Sequence, residues 1–337
     1  MYKKNAVISS GFFIALMQEL LMKIDAKILI TGTTGMVGGS LTRQLKLAGY
    51  KNLLTPTHAD LDLRDQNKVN AYFNTHKPEY VFHLAAIVGG IHANNTYPAK
   101  FIYDNTQMHC NVIQAAHQHQ VTKLLFPGSA CTYPKLAAQP IKETAFLDGL
   151  IEPTNLAYAA AKINGIVMSQ SFAREYQMNV IVPMPTNAYG VGDNFNPEAS
   201  HVIPALMKRF HEAKQSQLSE VVLWGTGTPL REFIYVDDLA DALIFLMSHY
   251  DSREIINVGT MQEISIADLA TAVAETVGFT GKITLDTSKP DGAPRKCLDS
   301  ARLFELGWKP SMTLRDGLKK MYAHHFVTEA SSSTARA

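Results

Sequence analysis

From Lys27 onward the chain repeats one unit, an apolar run of strand length followed by a longer stretch with helical spacing. The runs KILIT, NLLTP, YVFHLAA, KLLFPG and NVIVPMPT alternate with MVGGSLTRQLKLAGY, NTQMHCNVIQAAHQH and AYAAAKINGIVMSQSFAREY. Strands joined through helices lie parallel, because a crossover needs a dozen or more residues. The order therefore predicts an α/β fold, a Rossmann-type doubly wound parallel sheet with helices on both faces, over residues 26–186. After about residue 186 the pattern breaks up: NAYGVGDNFNPEASH reads as a loop, a helix follows near 202–213, then a short strand VVLW and mixed elements. This predicts a smaller mixed α/β domain over 187–325. It is interleaved with the first, because segments near 235–262, EIINVG among them, return to the first sheet.

A length of 337 residues fits two such domains. The chain is 46% apolar and 18% charged, which reads as soluble and globular, with the cytoplasm as the default compartment. Thirty-one Lys and Arg against thirty Asp and Glu leave a formal charge of +1. No global field draws in nucleic acid or a membrane surface, so an anionic ligand must be held by local groups. Cys110, Cys131 and Cys297 are an odd count without zinc-like spacing, which argues against a disulfide framework or a metal site and for a reducing compartment. Residues 1–25 begin with two lysines and an apolar run, but Gln18 and Glu19 interrupt it and no small-x-small site follows. They are expected to be an added amphipathic helix, or the stretch before a start at Met22. Residues 326–337, ending in TEASSSTARA, are expected to be a flexible tail.

ILITGTTGMVGG sets Gly32, Gly35 and Gly38 at the turn from the first strand into the first helix. Glycines there let backbone approach a pyrophosphate, whose charge meets the helix N-terminus. The strand before and the helix after make this a dinucleotide site. Asp65 in DLDLRD, and Leu84, Ala85 and Ala86 at the end of a later strand, are groups expected beside an adenine. An NAD site usually shows an acid at the end of the second strand, and LLTPTHAD has none before Asp60. That absence favours NADP(H), with Thr33, Thr34, Thr57 and His58 as the candidate phosphate partners.

In NLAYAAAKINGI, Tyr158 and Lys162 are four apart and share one helix face. A nearby ammonium favours the phenolate and is expected to lower the tyrosine pKa from about 10, making it a proton donor and acceptor near neutrality. Ser129, at the end of the preceding strand, can hydrogen-bond the same substrate carbonyl. The glycine turn, the serine and the tyrosine-lysine pair resemble the extended short-chain dehydrogenase/reductases. Within them VGGIHANNTYPAKFIYDN, GSACTYPK, EPTNLAYAAAK, PTNAYGVGDNFNPEASHVIPAL, WGTGTPLREFIYVDDLA and SKPDGAPRK resemble the GDP-L-fucose synthase family, from about Lys27 to about Phe326.

The resemblance implies 3,5-epimerisation of GDP-4-keto-6-deoxy-D-mannose followed by NADPH-dependent reduction of its 4-ketone, by a homodimer. Both epimerised carbons flank the ketone. Inverting them requires removal of a proton and its return from the other face, a task beyond the reductase groups alone. The resemblance gives that task to Cys131 and His201, whose ordinary pKa values of about 8.5 and about 6.5 allow exchange near neutrality. It adds Met36, Val37, Pro127, Gly128, Ala130, Pro185, Thr186, Asn187 and Ala188, with Ser129, Lys162 and His201, to the cofactor site. It assigns the nucleotide sugar to Arg209, Trp224, Arg231 and Asp291, with Lys296 close by. Arginine forks suit a diphosphate, and an aromatic offers an apolar face to a base or sugar; Asp291 could equally cap a turn.

The chain also departs from the family: GTTG and TPTH stand where some relatives carry arginines, and Ala130 replaces a common second serine. Other nucleotide-sugar enzymes on this scaffold fit less well. A dehydratase needs an acidic pair after the active-site serine or threonine, and SACTY has none, while a 4-epimerase needs neither Cys131 nor His201. A noncatalytic dinucleotide sensor need not keep Ser129, Tyr158 and Lys162.

Overall fold

The computed structural model describes residues 22–289 and 291–328. Residues 1–21 of the extension expected at 1–25, and the last nine residues, lie outside that range. The first half supplies β1 (Ile28–Thr31), α1 (Met36–Leu47), β2 (Leu53–Leu54), α2 (Gln66–His76), β3 (Tyr80–His83), α3 (Ile91–Thr96), α4 (Pro98–Gln118), β4 (Lys123–Leu125), α5 (Leu156–Glu175) and β5 (Val180–Ile181). These strands form one parallel sheet in the order β2-β1-β3-β4-β5. Their side chains alternate between two cores. Leu29, Val81 and Leu124 face α2, α4 and α5, whereas Ile28, Ile30, Phe82 and Leu125 face α1 and a later helix. Burial on both faces is why these runs are continuously apolar.

The second half contains β6 (Pro183–Pro185), β7 (Asn187–Tyr189), α6 (Val202–Gln215), β8 (Glu220–Trp224), β9 (Leu230–Tyr235), α7 (Val236–His249), β10 (Ile256–Val258), β11 (Glu263–Ser265), α8 (Ile266–Val277), β12 (Lys282–Asp286), β13 (Arg295–Lys296), α9 (Ala301–Glu305) and α10 (Leu314–Tyr322). Only Val182 separates β5 from β6, and β10, from EIINVG, pairs in parallel with β6. Helix α7 packs on the first sheet beside α1, where Ser40 and Gln44 donate to Asp237. Strand β9 pairs with β7, β11 and β13, and β8 pairs with β12. A third core, with Phe210, Leu223, Phe233 and Leu269, fills this lobe.

Two local expectations are corrected. Asn187–Tyr189, read as the start of a loop, is a strand, because β9 supplies the pairing partner that the local sequence does not reveal. The tail does not begin at residue 326. Helical structure runs to Thr328, and Phe326 stacks on His211 with ring centroids 4.1 Å apart.

Candidate active site

The glycine turn is enforced by backbone crowding. Gly32 has φ +74°, and a Cβ there would lie 2.8 Å from Ala85 N; one on Gly38 would lie 2.2 Å from Gly32 O. Gly35 is the N-cap of α1 with no side-chain cap, so the Met36 and Val37 end of the helix faces outward with its positive dipole. Gly192 approaches the same end, since its Cβ would lie 3.6 Å from Met36 Cα. A tight bare turn at an uncapped helix start fits a pyrophosphate. Thr33 and Thr34 lie in the turn, and Leu84, Ala85 and Ala86 border it, with Ala85 N–H donating to Thr31 Oγ1 at 3.0 Å. His58 is exposed on the loop after β2, where Thr57 donates twice to Asp60. Asp65 caps α2 by accepting from Asn67 N and Lys68 N, so its carboxylate already has partners.

Ser129 leaves β4 in extended conformation and opens the short helical turn Ala130–Thr132, accepting from Cys131 N at 3.3 Å. Gly128 lies close under the buried core, where a Cβ would come 2.3 Å from Met184 Sδ and displace that side chain. Helix α5 brings Tyr158 and Lys162 to this turn. Lys162 is 3% exposed, and its Nζ donates to Pro127 O at 2.8 Å. Burial lowers its pKa to about 8, against the upward pull of Cys131. The expected lowering of the Tyr158 pKa is not found in the chain alone. Burial raises it well above the ordinary range, with Cys131 adding to the effect, because desolvating a phenolate outweighs an ammonium already directed at a carbonyl.

Cys131 is the meeting point of these fields. Burial raises its thiol, while Lys296 and then the Ser129 hydrogen bond and Lys162 pull it down. Lys296 stands on β13 directly across from Arg231 on β9. Burial lowers the pKa of each, and Cys131 and Asp291 respectively raise them. Sequence reasoning placed Lys296 at the substrate end and missed its place beside the thiol, since only the β9–β13 pairing brings it there.

His201 is the N-cap of α6. The residues before it are held by the VGG loop: Gly90 N–H donates to Ala199 O at 3.0 Å, and a Cβ on Gly90 would lie 2.7 Å from Ser200 O. Buried Asn94 fastens that loop by donating to Gly89 O and Gly90 O. The His201 residue is exposed at its surface, yet the walls around its ring lower the imidazole pKa by desolvation. Asp193, also unforeseen, lies next to Gly192 with Oδ2 buried and unpaired, and burial raises its pKa to about 7.

Pro185, Thr186, Asn187 and Ala188 run along β6 and β7, tied down by Thr186 N to Val258 O at 3.0 Å and by Asn187 Nδ2 to Glu232 O at 3.1 Å. Asp291 does cap a turn: Thr226 N and Oγ1 donate to it at 3.0 and 2.7 Å. Trp224 ends β8 at 70% exposure, with Lys289 Nζ 5.8 Å from its ring centroid, and Arg209 is exposed on α6. A cavity of about 1050 Å³ under the 134–156 loop is lined by Leu136, Leu150, Ile151 and Leu156 among others, and Ser129, Cys131, Tyr158 and Lys162 all lie outside it. Among the described residues no cluster of His, Cys, Asp and Glu could hold a metal, and no helix is long and apolar enough to cross a membrane.

A glycine cradle, a serine and a tyrosine-lysine pair on one parallel sheet place the chain. Residues 28–259 match the NAD dependent epimerase/dehydratase family. The chain belongs to that family. It is 54% identical over 298 residues to GDP-L-fucose synthase 1 of Arabidopsis thaliana, covering 88% of this chain and 92% of the relative. It is 47% identical over 307 residues to GDP-L-fucose synthase of Escherichia coli strain K12, covering 88% and 95%. The crystal structure of a GDP-L-fucose synthetase from Naegleria fowleri bound to NADP superposes with TM-score 0.84 at 31% identity, covering 91% of this chain and 96% of that one.

Proposed function

We infer that this chain is an NADP-dependent GDP-L-fucose synthase, which epimerises C3 and C5 of GDP-4-keto-6-deoxy-D-mannose and reduces its 4-ketone. The observation that carries the reading is a thiol set among Ser129, Tyr158, Lys162 and Lys296, where a reductase alone needs none. The names of relatives matched over most of both chains support the substrate.

The dinucleotide, when bound, supplies the hydride delivered to C4. Gly32, Gly35 and Gly38 would let its pyrophosphate reach the α1 N-terminus, and Thr33, Thr34, Thr57 and His58 would be the partners of its adenosine phosphate. Ser129 and Tyr158 hold the C4 oxygen. Their hydrogen bonds stabilise negative charge there, whether it develops as an enolate during epimerisation or as an alkoxide during reduction. Cys131, with Lys296 favouring its thiolate, and His201, largely neutral at pH 7, exchange protons with C3 and C5. Tyr158 gives its proton to the C4 oxygen, and the Lys162 charge favours the phenolate left behind. Arg231, Arg209, Trp224 and Asp291 position the GDP moiety.

The pair of helices α4 and α5 exposes Ile102, Tyr103, Leu156 and Val167 to solvent, an apolar face that supports a homodimer through these helices. The three cysteines are unpaired, which supports a reducing compartment such as the cytoplasm. The deciding experiment incubates purified protein with GDP-4-keto-6-deoxy-D-mannose and NADPH or NADH, and then determines product stereochemistry. GDP-L-fucose formed preferentially with NADPH is expected. A product reduced at C4 with C3 and C5 unchanged would replace this reading by a simple C4 reductase.

A further inference from the structure

Beneath Lys162 lies a string of buried polar groups that the chemistry above does not use. Thr31 Oγ1 is 2.9 Å from His83 Nδ1, and His83 Nε2 is 3.0 Å from His109 Nδ1. Both histidines are 0% exposed. The string ends at His109 Nε2, which is buried and has no protein partner among the described residues. An unpaired buried nitrogen loses its hydration without replacement, so its position calls for a partner.

A candidate partner is on the neighbouring helix. His109 and Lys162 converge on one ring: the His109 and Phe126 centroids are 4.8 Å apart, and Lys162 Nζ is 4.9 Å from the Phe126 centroid. Helices α4 and α5 are in register at this level, with Cys110 Sγ 3.6 Å from Asn164 Oδ1. Of the three hydrogen-bonding positions on an ammonium, the Pro127 carbonyl takes one.

We propose that His109 is a positioning residue for Lys162, its Nε2 serving, directly or through one bridging water, as a hydrogen-bond partner of Nζ beside the Pro127 carbonyl. Thr31 and His83 hold the imidazole in place. The string serves both charge states of the amine. Ala85 N–H occupies Thr31 Oγ1, so when the hydroxyl donates to His83 Nδ1, the protons fall on His83 Nε2 and His109 Nε2, and the last can donate to a neutral amine or a water. When the string points the other way, His109 Nε2 accepts from an ammonium. The titratable groups that interact with Lys162 are Cys131 on the substrate side and the two imidazoles beneath. Burial and Lys162 keep both imidazoles neutral throughout the working range.

The inference rests on Lys162 serving Tyr158, so K162M is measured beside the histidine variants. For H109L, and for H83L/H109L in which apolar side chains replace both imidazoles, kcat for C4 reduction is expected to fall roughly tenfold to a hundredfold with KM nearly unchanged. Loss of a neutral partner disfavours the ammonium, so the alkaline limb of the pH profile should move down by about one unit. H109Q, which keeps a donor and an acceptor, should restore most of both. The folded state of each variant is checked by its melting temperature, and the double variant carries the test if H109L does not fold. If K162M reduces at the wild-type rate, the underlying reading fails. If K162M is inactive while H109L or the double variant keeps the wild-type kcat and profile, the positioning role alone is overturned.

Discussion

Lys162 joins two demands in one residue, a buried charge for the proposed chemistry and a desolvation cost for folding. Its folded pKa of about 8 lies below the ordinary value of 10.5. Below pH 8 the lysine is charged in both states, and the folded state bears the whole cost, about 3 kcal/mol at 1.36 kcal/mol per unit. Between pH 8 and about 10.5 the unfolded chain binds the extra proton, so stability rises with pH over that window. K162M should therefore melt higher than wild type at pH 7, offset in part by the lost Pro127 bond, with the advantage shrinking above pH 8, and should be nearly inactive. Thermal denaturation across pH 6–11 checks the sign. Cys131 and Tyr158 divide the chemistry in the proposed mechanism. C131A should retain cofactor binding while solvent deuterium incorporation into the sugar falls by about 10²–10⁴; Y158F should lose reduction by a similar factor with the fold retained. Unchanged incorporation at both C3 and C5 in C131A would remove the thiol from the mechanism.

At the scale of elements, side chains from distant segments are held by backbone contacts that only glycine permits. The VGG loop before α3 grips the residues ahead of His201 through Gly90, and an added methyl would meet Ser200 O at 2.7 Å. G90A should push the start of α6 away from the site. Deuterium exchange at the carbon that the proposed mechanism gives to His201 should then fall at least tenfold, with NADPH affinity nearly unchanged. Equal losses in both would show that the loop supports the whole cleft rather than His201. Strand β13 works similarly for Lys296, since two residues paired beside Arg231 bring a cation to a thiol some 165 positions earlier in the chain.

Across the whole molecule, α4 and α5 carry their buried sides into the first core and leave Ile102, Tyr103 and Val167 in water. Placing a charge at the centre of an apolar interface costs several kcal/mol. The proposed dimer through these helices predicts that I102E/V167E is monomeric by light scattering while the parent is dimeric, with a lower melting temperature for the variant. A monomeric parent would overturn the dimer.

How much of this was legible beforehand differs by feature. The parallel sheet, the glycine turn, and the Ser129, Tyr158 and Lys162 set could be read directly, because period, turn and helix spacing are local properties. Asp65 and Asp291 could be named but not interpreted: whether a carboxylate caps a helix, fastens a turn or meets a ligand depends on which donors fold against it. The titration of Tyr158 was expected in the wrong direction for the chain alone, because i, i+4 spacing reports nearness and not burial. The strand at Asn187–Tyr189, the place of Lys296 and the His83–His109 string required the fold itself. By itself the sequence determined which local elements form and which reactive groups are present. Only the tertiary structure decided which groups share a desolvated space, because strand pairing and helix packing between distant segments set both neighbours and dielectric.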